Sequence, residues 1–346
     1  MTTKLTPPGA LWLAALALVM LLLPQVVTSK FAIDILIRVL LFAFIGVAWN
    51  LMGGYAKQLS LGHAAYFGLG AYTSSVLLIH YGVSPWIGMM AGGVVAMAAS
   101  LPIGWLCFRL RGPYFAIATI ATAQVLMLLF LAGGSCSTAW CLKFHDLTWG
   151  AEGTTMPNLG SAPLMMQFEG KAPYYYIALG LLALGLVVTW LIERSHVGYY
   201  LVAIGEDEDA AEAVGVDAAR IKRDIYLISA FLTALAGTFY VQYIYFIDPN
   251  TAFSFNISVE AALVSIVGGI GTLWGPVLGT VLLEAGSALL QSWLGSGRSG
   301  LQLTVYSLIL MAVILWRPSG LMGLITDFWR RAVAGRGKDA KAAADG

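Results

Sequence analysis

The stretch PYYYIALGLLALGLVVTWLIE (Pro173–Glu193) runs for 20 residues before it meets its first charge. At about 1.5 Å of rise per residue, a helix of that length covers the ~30 Å hydrocarbon core of a bilayer. An amphipathic helix on a soluble protein would show a polar face every three or four positions, and this stretch shows none. It reads as a transmembrane span.

Comparable runs occur near 10–27, 31–52, 62–80, 85–108, 114–134, 225–247, 256–272, 274–294 and 300–316. Together they predict an all-α integral membrane protein, a polytopic bundle of about ten transmembrane helices. Composition agrees, since 59% of the 346 residues are hydrophobic and 11% are charged, against roughly 25% charged in an average soluble domain. A net charge of +1 gives no clustered basic face, so no nucleic-acid partner is expected. The chain is read as one transmembrane domain, 1–325, followed by a basic, Ala/Gly-rich tail, 326–346, expected to be disordered in the cytoplasm. The run at 10–27 follows Lys4, as a signal peptide would, but it is long and no small-x-small cleavage site follows Pro24, so it is read as a span.

Positive charge sets the orientation, because basic residues in short loops stay in the cytoplasm. With both termini inside, 14 of the 19 Lys and Arg residues fall on the cytoplasmic side. Lys30, Lys143, Lys171 and Arg298 fall outside, and Arg38 lies within a span. Asp34 and Arg38, four apart, are expected to form a local ion pair near the outer surface. The outer connection, 135–172, holds His145, Asp146, Glu152 and Glu169 without metal-ligand spacing. It also holds Cys136 and Cys141, for which both a disulfide and free thiols remain open. Cys107 lies in an apolar run and reads as a small core residue.

The inner connection, 194–223, is the most charged segment between two spans. Its reading GEDEDAAEAVGVDAARIKRDIYLI (Gly205–Ile228) predicts a short helix opened by the acids Glu206 to Asp209, which complement the positive end of the helix dipole. Ala210, Ala213 and Val214 share one face of it. Gly215 is placed to end it in the left-handed conformation, and Asp217 to cap the next helix. A small apolar face with a charged rim suits a groove on a soluble partner; a solvated helix that touches nothing is the plain alternative.

Within the membrane, GYAKQLSLGHAAYFGLGAY (Gly54–Tyr72) places Gln58, Ser60, His63 and Tyr66 among Gly62, Gly68 and Gly70. Polar groups at that depth face protein or water, so this segment is expected to line or gate a solute pathway, although a lone His63 is more often a packing residue. Glu260 is placed near the outer interface. Glu284 lies deeper and is a further pathway candidate. GGIGTLWGPVLG (Gly268–Gly279) contains Gly-x-Gly, but spans on both sides exclude the βαβ unit of a dinucleotide site, and a tight turn is expected. In YFAIATIATAQVL (Tyr114–Leu126), Thr119 and Thr122 are expected to bond their own backbone.

The inner connection resembles the EAA loop of ABC importer permeases. Asp209-Ala210-Ala211 stands for Glu-Ala-Ala, Gly215 follows after three residues, Ile225 after nine more, and Leu227 two beyond. Asp209 replaces the usual glutamate, and Ile228 stands where many such loops have proline. Six ordered motifs extend the likeness: the Gly54–Tyr72 segment, YFAIATIA, LTWGAEGTTMP (Leu147–Pro157), the inner loop, GGIGTLWGPVLG and WRPSGLMG (Trp316–Gly323). Over about residues 35–325 the chain resembles the branched-chain amino acid permease family of ABC importers, and within it the second of two permease subunits. Lys57 stands where that family usually has glycine.

The resemblance implies pairing with a homologous permease, two cytoplasmic ATP-binding subunits and an extracytoplasmic substrate-binding protein. ATP and Mg would be bound by the partners and no cofactor by this chain, which lacks a Gly-x-x-x-x-Gly-Lys-Ser/Thr loop; no catalytic residues are expected. The inner loop, through Glu206, Asp209, Ala210, Ala211, Ala213, Val214 and Gly215, would couple to the ATPase. An ion-coupled secondary transporter is the competing reading. It would place ionisable residues at the midplane as a relay, and this chain offers only Glu284 and His63. Branched-chain amino acids, other amino acids, urea, short amides and small aromatic acids all remain open as substrates.

Overall fold

A computed structural model describes residues 18–27, 29–110, 112–132, 146, 148–294 and scattered positions from 304 to 323. Helix α1, Lys30–Asn50, continues through one π turn at Leu51–Tyr55. It is followed by α2 (His63–Tyr81), α3 (Pro85–Cys107), α4 (Pro113–Ala132) and α5 (Ala172–Arg194). Two short helices, α6 (His196–Glu206) and α7 (Glu208–Ala213), lead into the long α8 (Ala218–Ile244). The one-turn α9 (Pro249–Ala252) precedes α10 (Phe255–Gly269). Then α11 (Gly275–Thr280) passes through a second π turn, Val281–Ala285, into α12 (Gly286–Leu294).

Eight of the ten apolar runs are therefore helices over nearly the expected bounds. The run at 10–27 is helical over 18–26, while 300–316 lies almost wholly outside the described residues, as do Cys136, Cys141 and the tail. Among the described residues, six helical segments are both long and apolar enough to cross a membrane, against ten expected over the whole chain. Two runs fall short for identifiable reasons. Helix α2 has the length, 19 residues, but carries His63, Tyr66, Ser74 and Ser75, all of which it buries. The α11–α12 segment is apolar but short, Gly275–Leu290.

Helix α8 is the axis of the bundle, packed on α1, α2 and α3. Its crossing with α2 is backbone against backbone. A Cβ at Gly70 would lie 2.1 Å from the Ala234 carbonyl oxygen, and one at Gly237 2.0 Å from that of Phe67. In lipid, where apolar surface gains little by leaving its solvent, such close approach is what holds helices together. Thr238 reinforces it by donating to the Gly70 carbonyl at 3.0 Å. Helix α4 is the opposite case: only Phe115, Ala116, Thr119 and Ala123 are buried, and its other faces turn away from the described chain. Thr119 and Thr122 donate to the Ala116 and Ala118 carbonyls, both at 2.8 Å, as expected of threonine in a membrane helix.

One small non-helical element joins the long connection to the bundle. Strand β1 (Thr154–Thr155) pairs antiparallel with β2 (Phe246–Ile247), with Thr154 opposite Ile247 and Thr155 opposite Phe246. The LTWGAEGTTMP segment is thereby pinned to the end of α8. Trp149 from the same segment stacks on His80 of α2, with ring centroids 5.5 Å apart.

Candidate functional site

Between α5 and α8 the chain forms the bend expected of 194–223. Asp207, in extended backbone, caps α7 by accepting from the Ala210 N–H at 3.0 Å. Gly215 takes φ +92°. Its N–H donates to the Glu212 carbonyl at 2.9 Å, and that of Val216 reaches back to Ala211 at 3.1 Å, so the last carbonyls of α7 are satisfied. Asp217 then caps α8 through the Arg220 N–H at 2.9 Å. Ala210, Ala213 and Val214 are exposed, Val214 at 80%.

Ala211 is buried on the other side of α7, which packs on α8. One expectation about this segment needs correction. Glu206 does not open α7. It ends α6 and pairs with Lys57 at 2.9 Å, whereas Glu208 pairs with the buried Lys222 at 2.6 Å. The acids are thus divided between two neighbours, and Asp209 is exposed on α7. Beside the bend, a cavity of about 460 Å³ is lined by Arg109, Arg220 and Arg223 together with Trp105. The Arg109 guanidinium lies 4.0 Å over the Trp105 ring.

The Gly54–Tyr72 segment begins in the first π turn, a departure from α-helix that often marks functional positions. Lys57 has φ +49°, a left-handed conformation that glycine adopts at less cost. Tyr55 donates to Glu193 at the end of α5, so this segment touches both α5 and α6. Asn50, which sequence reading passed over, bridges to the GGIGTLWG turn: its Oδ1 accepts from the Gly271 N–H at 2.9 Å, and its Nδ2 donates to the Thr272 carbonyl at 2.9 Å. That turn is tight, as expected, with φ +70° at Gly271.

The polar residues expected in a pathway are enclosed in this conformation. Ser60, His63 and Tyr66 are all at 0% exposure. Gln58 is half-buried, Gly62 abuts the Thr119 carbonyl, and Gly68 abuts the Phe253 ring. Ser229 donates to the Ala48 carbonyl at 2.6 Å, which leaves its oxygen to accept from His63 Nε2–H at 2.8 Å. His63 Nδ1 then carries the lone pair. That atom is buried without a hydrogen-bond partner among the described residues, at a cost of about 1–3 kcal/mol relative to a satisfied group, and Tyr66 packs edge-on against Tyr226 with ring centroids 5.4 Å apart.

At the opposite end of the bundle, a cavity of about 780 Å³ opens between α1, the start of α5, the end of α8, α10 and the second π turn. Asp34, Arg38, Lys171, Tyr243, Glu260 and Glu284 are on its wall. The expected Asp34–Arg38 pair is not made. Asp34 pairs instead with Lys171 and accepts from Tyr243, partners 137 and 209 residues away that no local spacing reveals. Glu260, on α10, and Glu284, on the second π turn, both line it. Glu284 is thus the one pathway candidate that reaches this cavity. The signal for the rest was Arg38 itself, a charge within an apolar span.

Fold and sites together define a multi-pass membrane protein with a charged cavity at one end and a rigid helical bend at the other. The chain belongs to the branched-chain amino acid transport system permease component family, whose pattern matches residues 31–316. It is 27% identical over 325 residues to the high-affinity branched-chain amino acid transport system permease protein LivM of Salmonella typhimurium, covering 90% of this chain and 74% of that one. It is 23% identical over 292 residues to LivH, the corresponding permease protein of Escherichia coli, with 82% and 91% covered. The fructose import permease protein FrcC of Rhizobium meliloti is 25% identical over 270 residues, covering 75% of this chain and 69% of FrcC.

Proposed function

We propose that this chain is the membrane subunit of an ATP-driven importer, moving branched-chain amino acids or related small polar solutes across the cytoplasmic membrane. A homologous permease would pair with it, two cytoplasmic ATP-binding subunits would drive it, and an extracytoplasmic binding protein would deliver the solute. ATP and Mg would be held by those partners. Both termini and the 194–223 bend are cytoplasmic in this reading, and the 780 Å³ cavity faces outward.

The observation that carries the reading is the bend. The exposed Ala210, Ala213 and Val214 face is presented on a helix fixed at both ends, by the Asp207 cap and by Gly215, and anchored beneath by Ala211 and the Glu208–Lys222 pair. A push on that face is passed on as a rigid-body movement. Lys57 with Glu206, Tyr55 with Glu193, and Asn50 with the Gly271 turn continue the contact to the enclosed Ser60, His63 and Tyr66 cluster. The buried His63 Nδ1, without a partner among the described residues, supports opening of the cluster to solute and water during the cycle, as a gate.

Reconstitution of the assembled complex in proteoliposomes tests this reading. Uptake of L-leucine delivered by the binding protein should require ATP on the side of the 194–223 bend and proceed without an ion gradient. Uptake driven by a proton or sodium gradient in the absence of ATP would instead establish a secondary transporter.

A further inference from the structure

The cavity at the Lys171 end has an unusual charge balance for a membrane-embedded space. Asp34 is neutralised by Lys171 and further held by Tyr243. Arg38 lies eight residues into α1, roughly 12 Å along the helix from its start, yet it is exposed. Among the described residues no carboxylate is within ion-pair distance of it. A charge at that depth is tolerated only where it meets protein or water. Glu260 and Glu284 line the same cavity, together with the apolar Ile35, Leu41, Phe42 and Ile244.

The second π turn explains how Glu284 comes to this position. A π turn inserts an extra residue and shifts the side chains after it around the helix axis. Val281–Ala285 is such a turn, and Glu284, Ser287 and Ala288 on its cavity side all contribute to the wall.

We propose that this cavity is the permease's own binding site for a zwitterionic α-amino acid with an aliphatic side chain. Arg38 receives the carboxylate, for which its planar guanidinium is a two-pronged donor. Glu260 and Glu284 receive the ammonium, and the apolar wall receives the side chain. A neutral amide or urea would leave Arg38 without a counter-charge, and a simple cation or anion would use only one wall. The inference rests on the importer reading above and extends it, by assigning amino-acid recognition to the membrane subunit as well as to a binding protein.

Two measurements test it, both on the assembled complex. In proteoliposomes with saturating binding protein, Arg38→Gln should lower L-leucine uptake by about tenfold, equivalent to one charge-assisted hydrogen bond, with the amount of assembled complex unaltered; Arg38→Lys should retain an intermediate rate. In a chain with Cys136 and Cys141 replaced by serine, Ala288→Cys should be labelled by a thiol reagent. Millimolar L-leucine, without ATP or binding protein, should slow that labelling, and isovaleramide, which has the same side chain but no charges, should not. Full uptake by Arg38→Gln would overturn the proposal, as would equal protection by both compounds. So would loss of the paired permease from the Arg38→Gln complex, which would make the cavity a subunit contact. Failure of ATP-driven uptake in the wild type would count against the importer reading instead, because the labelling result does not depend on ATP.

Discussion

At the cavity end, charged side chains from α1, α5, α10 and the second π turn surround about 780 Å³ of space. At the bend end, backbone meets backbone: a Cβ added at Gly268 would lie 1.7 Å from the Gly275 carbonyl oxygen. Asn50 locks the turn between these two glycines with two hydrogen bonds. The contrast separates two mechanical tasks. Admitting a polar solute requires volume and unspent charge, whereas transmitting a push requires contacts with no slack. The long α8 joins them, with the Glu208–Lys222 pair near one end and the cavity residue Tyr243 near the other.

Adding bulk is the strongest way to break this contrast. Gly268→Val should abolish recovery of folded protein, since neither the Gly275 carbonyl nor the helix behind it can move far enough. Overpacking already costs about 1–3 kcal/mol when the neighbours can give. Ala288→Val, which points its methyl groups at the cavity, should leave recovery and thermal stability close to wild type. Size-exclusion profiles of the two purified variants check both outcomes; equal loss in both would mean the cavity end is as tightly built as the bend.

A finer test lies within the bend, where two ion pairs differ in burial. Glu208→Ala strands Lys222, whose side chain is 6% exposed, and removing one partner of a buried pair costs about 3–5 kcal/mol when the charge cannot relax. Relaxation toward solvent should keep the measured loss at or below the lower figure. Glu206→Ala removes a pair exposed at 55% and 78%, worth under about 1 kcal/mol. Thermal unfolding of the complex should therefore rank Glu208→Ala well below Glu206→Ala, and the reverse ranking would remove the anchor from the account.

Much of the scaffold was readable because its cause is local. An apolar run of span length, a glycine after a short helix and an aspartate before the next one each act within a few residues, and α5, Gly215 and Asp217 stand where those rules place them. What could not be read depends on distant partners. Asp34 was assigned to Arg38 by an i, i+4 rule, but Lys171 and Tyr243 reach it across the bundle. Glu260 and Glu284, 24 positions apart, come to one cavity only through the packing of α10 and the second π turn.

The central claim is that the bend carries force from a soluble partner into the bundle, and Gly215→Val tests it most directly. Gly215 holds φ +92° and no atom lies within 4 Å of an added Cβ, so the substitution acts on backbone conformation alone. A β-branched residue there costs about 1–2 kcal/mol, enough to fray or rotate α7 while the spans stay folded. The measurement is copurification of the ATP-binding subunits with the membrane-inserted variant, alongside ATP-dependent uptake of L-leucine. The account predicts normal insertion, loss of the copurifying subunits and no uptake. Normal uptake with the ATP-binding subunits still attached would contradict it.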